Sequence, residues 1–219
     1  MTLTYHGHSC FKLKSKRGTV VTDPYEDYVG FSLPSMSADI VTVSHQHPDH
    51  NASAKVAGTA RRSKPFIIDA AGEYEIGGIS VFGVPAYHDD SQGAERGKSN
   101  IYTILVDDVR VCHLGDLGHA LSEETIESIG EIDVLLVPVG GIFTIDPAQA
   151  VKTIRSLEPS IVVPMHYKTT MHKEELFGEM KTVQDFLKEY GVEVQPVDKL
   201  EVDELSLPEE TEVVVLSQQ

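Results

Sequence analysis

Three imidazoles and a carboxylate fall within six consecutive residues, His45-Gln46-His47-Pro48-Asp49-His50, directly after the apolar run IVTVS at 40–44. With 10 histidines in 219 residues, an H-x-H-x-D-H pattern arises by chance with odds of about one in a thousand. Residues i and i+2 of an extended segment point the same way, so His45 and His47 can reach one cation. Asp49 and His50 lie past the bend at Pro48 and can turn toward a second. Four nitrogen and oxygen ligands at the end of a strand are hard to account for except as a metal site. Imidazole with carboxylate suits zinc, and manganese and iron are compatible with the same donors. The fold must therefore bring a strand end to a place where other ligands can converge on it.

His88, Asp116 and His166 are the natural partners. Each follows a stretch read as a strand (79–85, 109–114 and 161–165), and ligands at strand ends can meet at one sheet edge. Taken singly, each has a bland alternative, since an Asp after Gly is often a turn residue. Together they complete two shells of four to five ligands.

The order of elements points to a mixed α/β fold. Residues 2–6, 10–13, 18–23 and 40–44 read as strands, and 79–85, 101–106 and 109–114 as an antiparallel meander with a tight hairpin at Asp107-Asp108. Helices are expected after Ser122, which suits an N-cap, and after Asp146, where Pro147 and Gln149 form a capping-box pattern. A third is expected after Thr182, with Gly130, Pro159 and Gly191 as stops. Apolar strands at 134–137 and 161–165 alternate with these helices, as in a sheet covered by helices. No linker, repeat or low-complexity tract divides the chain, so a single domain over 1–219 is expected. A chain of this length can bury roughly 70% of its unfolded surface without disulfides.

Composition narrows the function. Eighteen Lys plus Arg against 34 Asp plus Glu give a net charge of −16, which disfavours a polyanion and favours cations. Cys10 and Cys112 read as buried reduced thiols. The start of the chain reads as strand, not as a leader peptide, and the longest uncharged run, 134–145, is too short to span a membrane. A cytoplasmic protein without membrane insertion is expected; the helices announce no interface, so a homo-oligomer stays open.

Tyr5-His6-Gly7-His8-Ser9, Val21-Thr22-Asp23-Pro24, the 45–50 cluster, Pro85-Ala86-Tyr87-His88, His113-Leu114-Gly115-Asp116 and Pro164-Met165-His166-Tyr167 together resemble the metallo-β-lactamase superfamily. Within it the chain is similar to the compact metal-dependent hydrolases related to ascorbate-6-phosphate lactonase and N-acyl phosphatidylethanolamine phospholipase D. The resemblance implies an αββα sandwich, two mixed β-sheets face to face with helices on both outer faces. It implies that His45, His47 and His88 hold one divalent ion, that Asp49, His50 and His166 hold a second, and that Asp116 bridges them. Asp23 matches an early aspartate that fixes the histidine loop, and His8 matches a histidine that supports the site or meets substrate. His6 and His113 are read as a strand-surface and a buried hydrogen-bonded histidine, and His119 and His172 as solvated surface.

The expected activity is hydrolysis of a small ester, lactone or phosphodiester by water activated between two ions, with Asp49 taking the proton. Arg96, in the polar loop 89–100, could meet a substrate phosphate or carboxylate. No P-loop or dinucleotide fingerprint is present. Two other readings compete: cleavage of nucleic acid, against which the charge and the lack of a basic stripe stand, and a metal-binding module without turnover. Di-iron oxidoreduction fits less well, because those relatives have a carboxylate where His47 stands.

Overall fold

Strand ends and the loops beyond them gather the histidines and aspartates at one edge of two stacked sheets. The structure is a computed structural model describing residues 1–219. In chain order the first half comprises β1 (Thr2–Tyr5), β2 (Phe11–Lys14), β3 (Thr19–Thr22), β4 (Met36–Ser37), β5 (Ile40–Thr42), β6 (Val56–Ala57), β7 (Phe66–Ile68), β8 (Gly72–Ile76), β9 (Ile79–Tyr87), β10 (Lys98–Val106) and β11 (Val109–His113). The second half comprises α1 (Glu123–Ile129), β12 (Val134–Pro138), α2 (Pro147–Leu157), β13 (Ile161–Met165), α3 (Glu174–Phe177), α4 (Val183–Tyr190), β14 (Leu200–Glu201) and β15 (Glu212–Val213).

One sheet has the order β14-β1-β2-β3-β5-β7 and the other β15-β13-β12-β11-β10-β9-β8, while β4 and β6 form a small ladder of their own. Both sheets are mixed. β8 to β11 form an antiparallel meander, and β11, β12 and β13 run parallel. The turn at Asp107-Asp108 has both residues left-handed, at φ 51° and 61°, which is the backbone a two-residue hairpin needs. Gly77 and Gly78, at 64° and 84°, make a second such turn between β8 and β9.

Strand alternation divides the core. Phe11, Leu13, Val20 and Ile40 face the opposite sheet in the main apolar cluster, whereas Val21, Val41 and Val43 point outward into a second one. The helical cover is uneven. α2 and α4 pack together and, with α1, lie on the second sheet, where Val151, Ile154, Leu157, Phe186 and Leu187 are buried. Each such side chain contributes about 1.5–3 kcal/mol of burial. On the first sheet the cover is thin: Tyr25, the 3₁₀ turn Asp27–Val29, the β4–β6 ladder and Phe177 of the four-residue α3 close over Val21, Val41 and Val43.

The helix ends follow their sequence signals. Ser122 accepts from Thr125 N, and Asp146 and Thr182 both close full capping boxes. α2 stops at Glu158, left-handed just before Pro159. Beyond α4 the chain returns to both sheets: β14 adds to β1, β15 adds to β13, and Gln219 N donates to Tyr5 O.

Candidate metal centre

Strand direction accounts for the meeting of these residues. β1, β3 and β5 are mutually parallel in the first sheet, and His8, Asp23 and His45 follow their C-terminal ends; β9, β11 and β13 are mutually parallel in the second, and His88, Asp116 and His166 follow theirs. The loop after β5 adds His47, Asp49 and His50. Three of the residues at the site hold left-handed backbone, His8 at φ 55°, Asp23 at 38° and His166 at 51°. Such conformations are costly for non-glycine residues and persist where surrounding bonds hold them. Here His166 N donates to His8 O and Asp23 N to Thr42 O.

Asp116 is the hub. Its Oδ2 lies 3.2 Å from His50 Nε2, 3.2 Å from His88 Nε2, 3.3 Å from His166 Nε2 and 3.9 Å from His45 Nε2. On one side of it His45 Nε2 and His47 Nδ1 approach to 3.0 Å, with His88 in the same cluster. On the other side Asp49, His50 and His166 cluster, with His8 beside them. All of these are buried except His47, which is exposed, and Asp49, which is partly so.

The hydrogen bonds around Asp23 set which imidazole nitrogens are free. Asp23 is fully buried and accepts from Ser44 N at 2.7 Å, from Ser44 Oγ at 2.5 Å and from His50 Nδ1 at 2.9 Å. Ser44 has one hydroxyl proton, and Asp23 takes it, so Ser44 Oγ accepts from His45 Nδ1 at 2.9 Å. The Nε2 lone pair of His45 is left facing Asp116. In the same way His50 spends its Nδ1 proton on Asp23 and turns Nε2 inward.

Several buried atoms then make no hydrogen bond: His50 Nε2 and His166 Nε2, although close to Asp116 Oδ2, together with His166 Nδ1 and Asp116 Oδ1. Orphans of this kind are rare in folded proteins and call for an ion or a water. The charges say which. Burial would raise the Asp116 carboxyl, but His166 and His50 outweigh it and hold it well below the usual range. Burial would lower His50, yet Asp116 and Asp49 push it well above its ordinary value. Burial pushes His45 down to about 3 and lowers His88, so both are neutral donors of lone pairs. Two neutral imidazoles, a third that the carboxylates draw toward positive charge, and buried ionised carboxylates make a donor set whose demand for positive charge divalent cations would meet.

A cavity of about 360 Å³ opens onto this centre, bounded by His47, Asp49, His88 and Asp116 on one side and by Tyr28, Phe143 and Phe177 on the other. Arg96 reaches its rim, with its guanidinium 5.9 Å from the Phe143 ring centre. The loop that carries Arg96 is ordered by Asp89, whose carboxylate accepts from the backbone N–H groups of Arg96, Gly93, Glu95 and Ser91 and is held at about 2 by them. Larger hollows beside α4 and across β8–β10 lack any such convergence of ligand atoms.

The other histidines divide. His113 is buried, donating from Nε2 to Ser9 O at 2.9 Å and accepting at Nδ1 from Gly115 N, as a structural histidine does. His6 is half-buried beside Thr4. His119, expected at the solvated surface, is half-buried because it turns back to accept from Tyr87 N. His172 corrects the same expectation more fully: it is buried 3.3 Å from His8, because the turn 169–172 folds inward beneath Phe31 and Phe177. Nothing in its polar sequence surroundings, TTMHKEE, signals this.

Comparison with known proteins agrees with the architecture. The family model "Beta-lactamase superfamily domain" matches residues 2–166. The chain is 35% identical over 191 residues to a UPF0173 metal-dependent hydrolase from Methanoculleus marisnigri, an alignment covering 77% of this chain and 82% of that protein. Among solved structures, one from Thermotoga maritima, assigned to the Zn-dependent hydrolases of the metallo-β-lactamase superfamily, superposes with a TM-score of 0.78 at 37% identity, covering 98% of this chain and 97% of that one. Igni18, a metallo hydrolase from Ignicoccus hospitalis, shares the fold at a TM-score of 0.62 and 23% identity, covering 98% and 94%.

Proposed function

The chain belongs to the metallo-β-lactamase superfamily, among its metal-dependent hydrolases, and from that premise we propose that it hydrolyses a small ester, lactone or phosphodiester bearing an anionic group, using two divalent ions, zinc by donor type. The observation that carries the reading is the convergence of three imidazole Nε2 atoms within 3.2–3.3 Å of Asp116 Oδ2 while Asp116 Oδ1 is left without a partner. His45, His47 and His88 would hold one ion, Asp49, His50 and His166 the other, and Asp116 both. Divalent ions bound there would supply Lewis acidity, lowering the pKa of a bound water toward neutrality and polarising the oxygen of the bond under attack.

The chain's own groups do the rest. Asp49 borders both the cavity and the centre, and takes the proton that the attacking water releases. Tyr28, Phe143 and Phe177 exclude water from the apolar part of a substrate. Arg96 meets its phosphate or carboxylate. The cavity volume and the net charge of −16 favour a small molecule over a nucleic acid, whose phosphates would face the whole acidic surface. Two buried free cysteines support a reducing compartment, hence the cytoplasm, and no helix is long and apolar enough to cross a membrane. The main core draws residues from Leu3 to Leu216, in keeping with one domain over 1–219.

The test is a chromogenic panel of lactones, carboxylic esters and phosphodiesters, offered to protein reconstituted with zinc or manganese and to its His47→Ala and Asp116→Asn variants. Turnover confined to one bond class and lost with the metal in both variants is expected. Full metal content with full turnover in both would refute the site.

A further inference from the structure

A directed series of hydrogen bonds runs from Thr169 through His172 and His8 to Asp49, and its direction can be read from the far end. The backbone N–H of Thr169 can only donate, and it points at His172 Nδ1 from 3.1 Å; the Thr169 hydroxyl stands 2.9 Å from the same atom. Nδ1 of His172 is therefore an acceptor, which excludes the doubly protonated ring and puts its proton on Nε2. That nitrogen lies 3.3 Å from His8 Nδ1, which must accept in turn. The proton of His8 is thus on Nε2, 3.2 Å from Asp49 Oδ2.

We infer that His172, acting through His8, is a positioning residue for Asp49: the series fixes His8 as a hydrogen-bond donor to Asp49 Oδ2 and so holds the carboxylate in one orientation beside His50, whose Nε2 lies 3.8 Å from the same oxygen. The inference rests on the reading of Asp49 as ligand and base. It also decides between two roles for His8, which clusters with Asp49, His50 and His166 closely enough to be a fourth ligand. A ligand must offer Nε2 as a lone pair, and this one carries the proton.

The anchors of the series are rigid. The His8 carbonyl accepts from both Tyr5 Oη at 2.9 Å and His166 N at 2.8 Å. The His172 ring is packed edge-on against Phe31 at 5.0 Å and lies 5.3 Å from Phe177. A donor held this way orients its carboxylate, as the partners of metal-bound groups commonly do.

Two substitutions at 172 separate hydrogen bonding from packing. His172→Phe keeps a ring against Phe31 and Phe177 but has no donor for His8; His172→Gln keeps an amide N–H that reaches toward His8 but loses the ring. Zinc affinity is read by chelator competition, folding by thermal melting, and the tautomers by long-range ¹H–¹⁵N spectra of the metal-free protein. In the parent, protons on Nε2 of both His8 and His172 are expected. His172→Phe should fold yet lose roughly 10–100-fold in zinc affinity and lose kcat rather than KM on any ester the panel identifies, and His172→Gln should recover most of both. Parental zinc affinity and kcat in His172→Phe, or a His8 proton on Nδ1, would overturn the inference. The tautomer spectra need no metal, so failure of the parent to bind zinc would count against the two-ion reading alone.

Discussion

Asp23 shows how much one side chain can organise. It takes three hydrogen bonds in full burial, and through Ser44 and His50 it decides the free nitrogen of two imidazoles. Burial would raise its carboxyl, but His113, His50 and the Ser44 hydroxyl outweigh it, so its pKa is depressed. A depressed carboxyl stabilises the fold above its unfolded pKa and ceases to as pH falls through the folded one. Asp23→Ala should therefore leave buried donors unpaired, at about 1–3 kcal/mol each, and weaken zinc binding roughly 10–100-fold. Urea unfolding and chelator competition measure the two effects separately. At this scale the metal-ligand candidates are legible in the sequence, because imidazoles at i and i+2 after a strand, with a carboxylate two residues on, seldom come together except around a cation. The His8–His172 pair is not, since 164 positions separate its members and neither lies in a pattern that points to the other.

At the scale of elements, caps and stops are legible and short strands are not. Asp146-Pro147 with Gln149, and Thr182 with Gly191, each carry a local chemical reason for a helix end, and the structure places α2 and α4 accordingly. β8 escapes a reading by periodicity because Gly72–Ile76 is an edge strand with two exposed acidic residues, though Gly77-Gly78 marks its turn. β7, β14, β15 and α3, of two to four residues, are too short to show a period. Some loops matter for close approach alone. A Cβ at Gly140, just past β12, would overlap the carbonyl of His166, and one at Gly118 would overlap that of His88. Gly140→Ala should cost about 1–3 kcal/mol through overpacking and displace His166, giving a protein that melts cooperatively but holds zinc more weakly. Unchanged zinc affinity in this variant would show that His166 tolerates the shift or is no ligand.

For the whole molecule, the sandwich follows from the resemblance, and the thin cover of the first sheet is the feature that no periodicity announces. The 3₁₀ turn Asp27–Val29 and α3 that stand in for a full helix there also bring Tyr28 and Phe177 to the cavity. The net charge takes on a local meaning as well. Two divalent ions would add four positive charges beside Asp49 and Asp116, so a small anion can meet a favourable pocket within an acidic surface. Ions that bind only the folded state stabilise it by about 2.7 kcal/mol per site at a hundredfold excess over Kd. Stripping both with a chelator should then lower Tm by roughly 10–20 °C for a chain of this size, and adding zinc back should restore it in the parent but not in Asp116→Asn. In the proposed function His45, His47, Asp49, His50, His88 and His166 hold two cations with Asp116 between them. Anomalous diffraction at the zinc edge, from crystals of the zinc-loaded protein, tests it directly. Two peaks are expected, one among His45, His47 and His88 and one among Asp49, His50 and His166, both beside Asp116; the absence of density there, or peaks held by other residues, would contradict it.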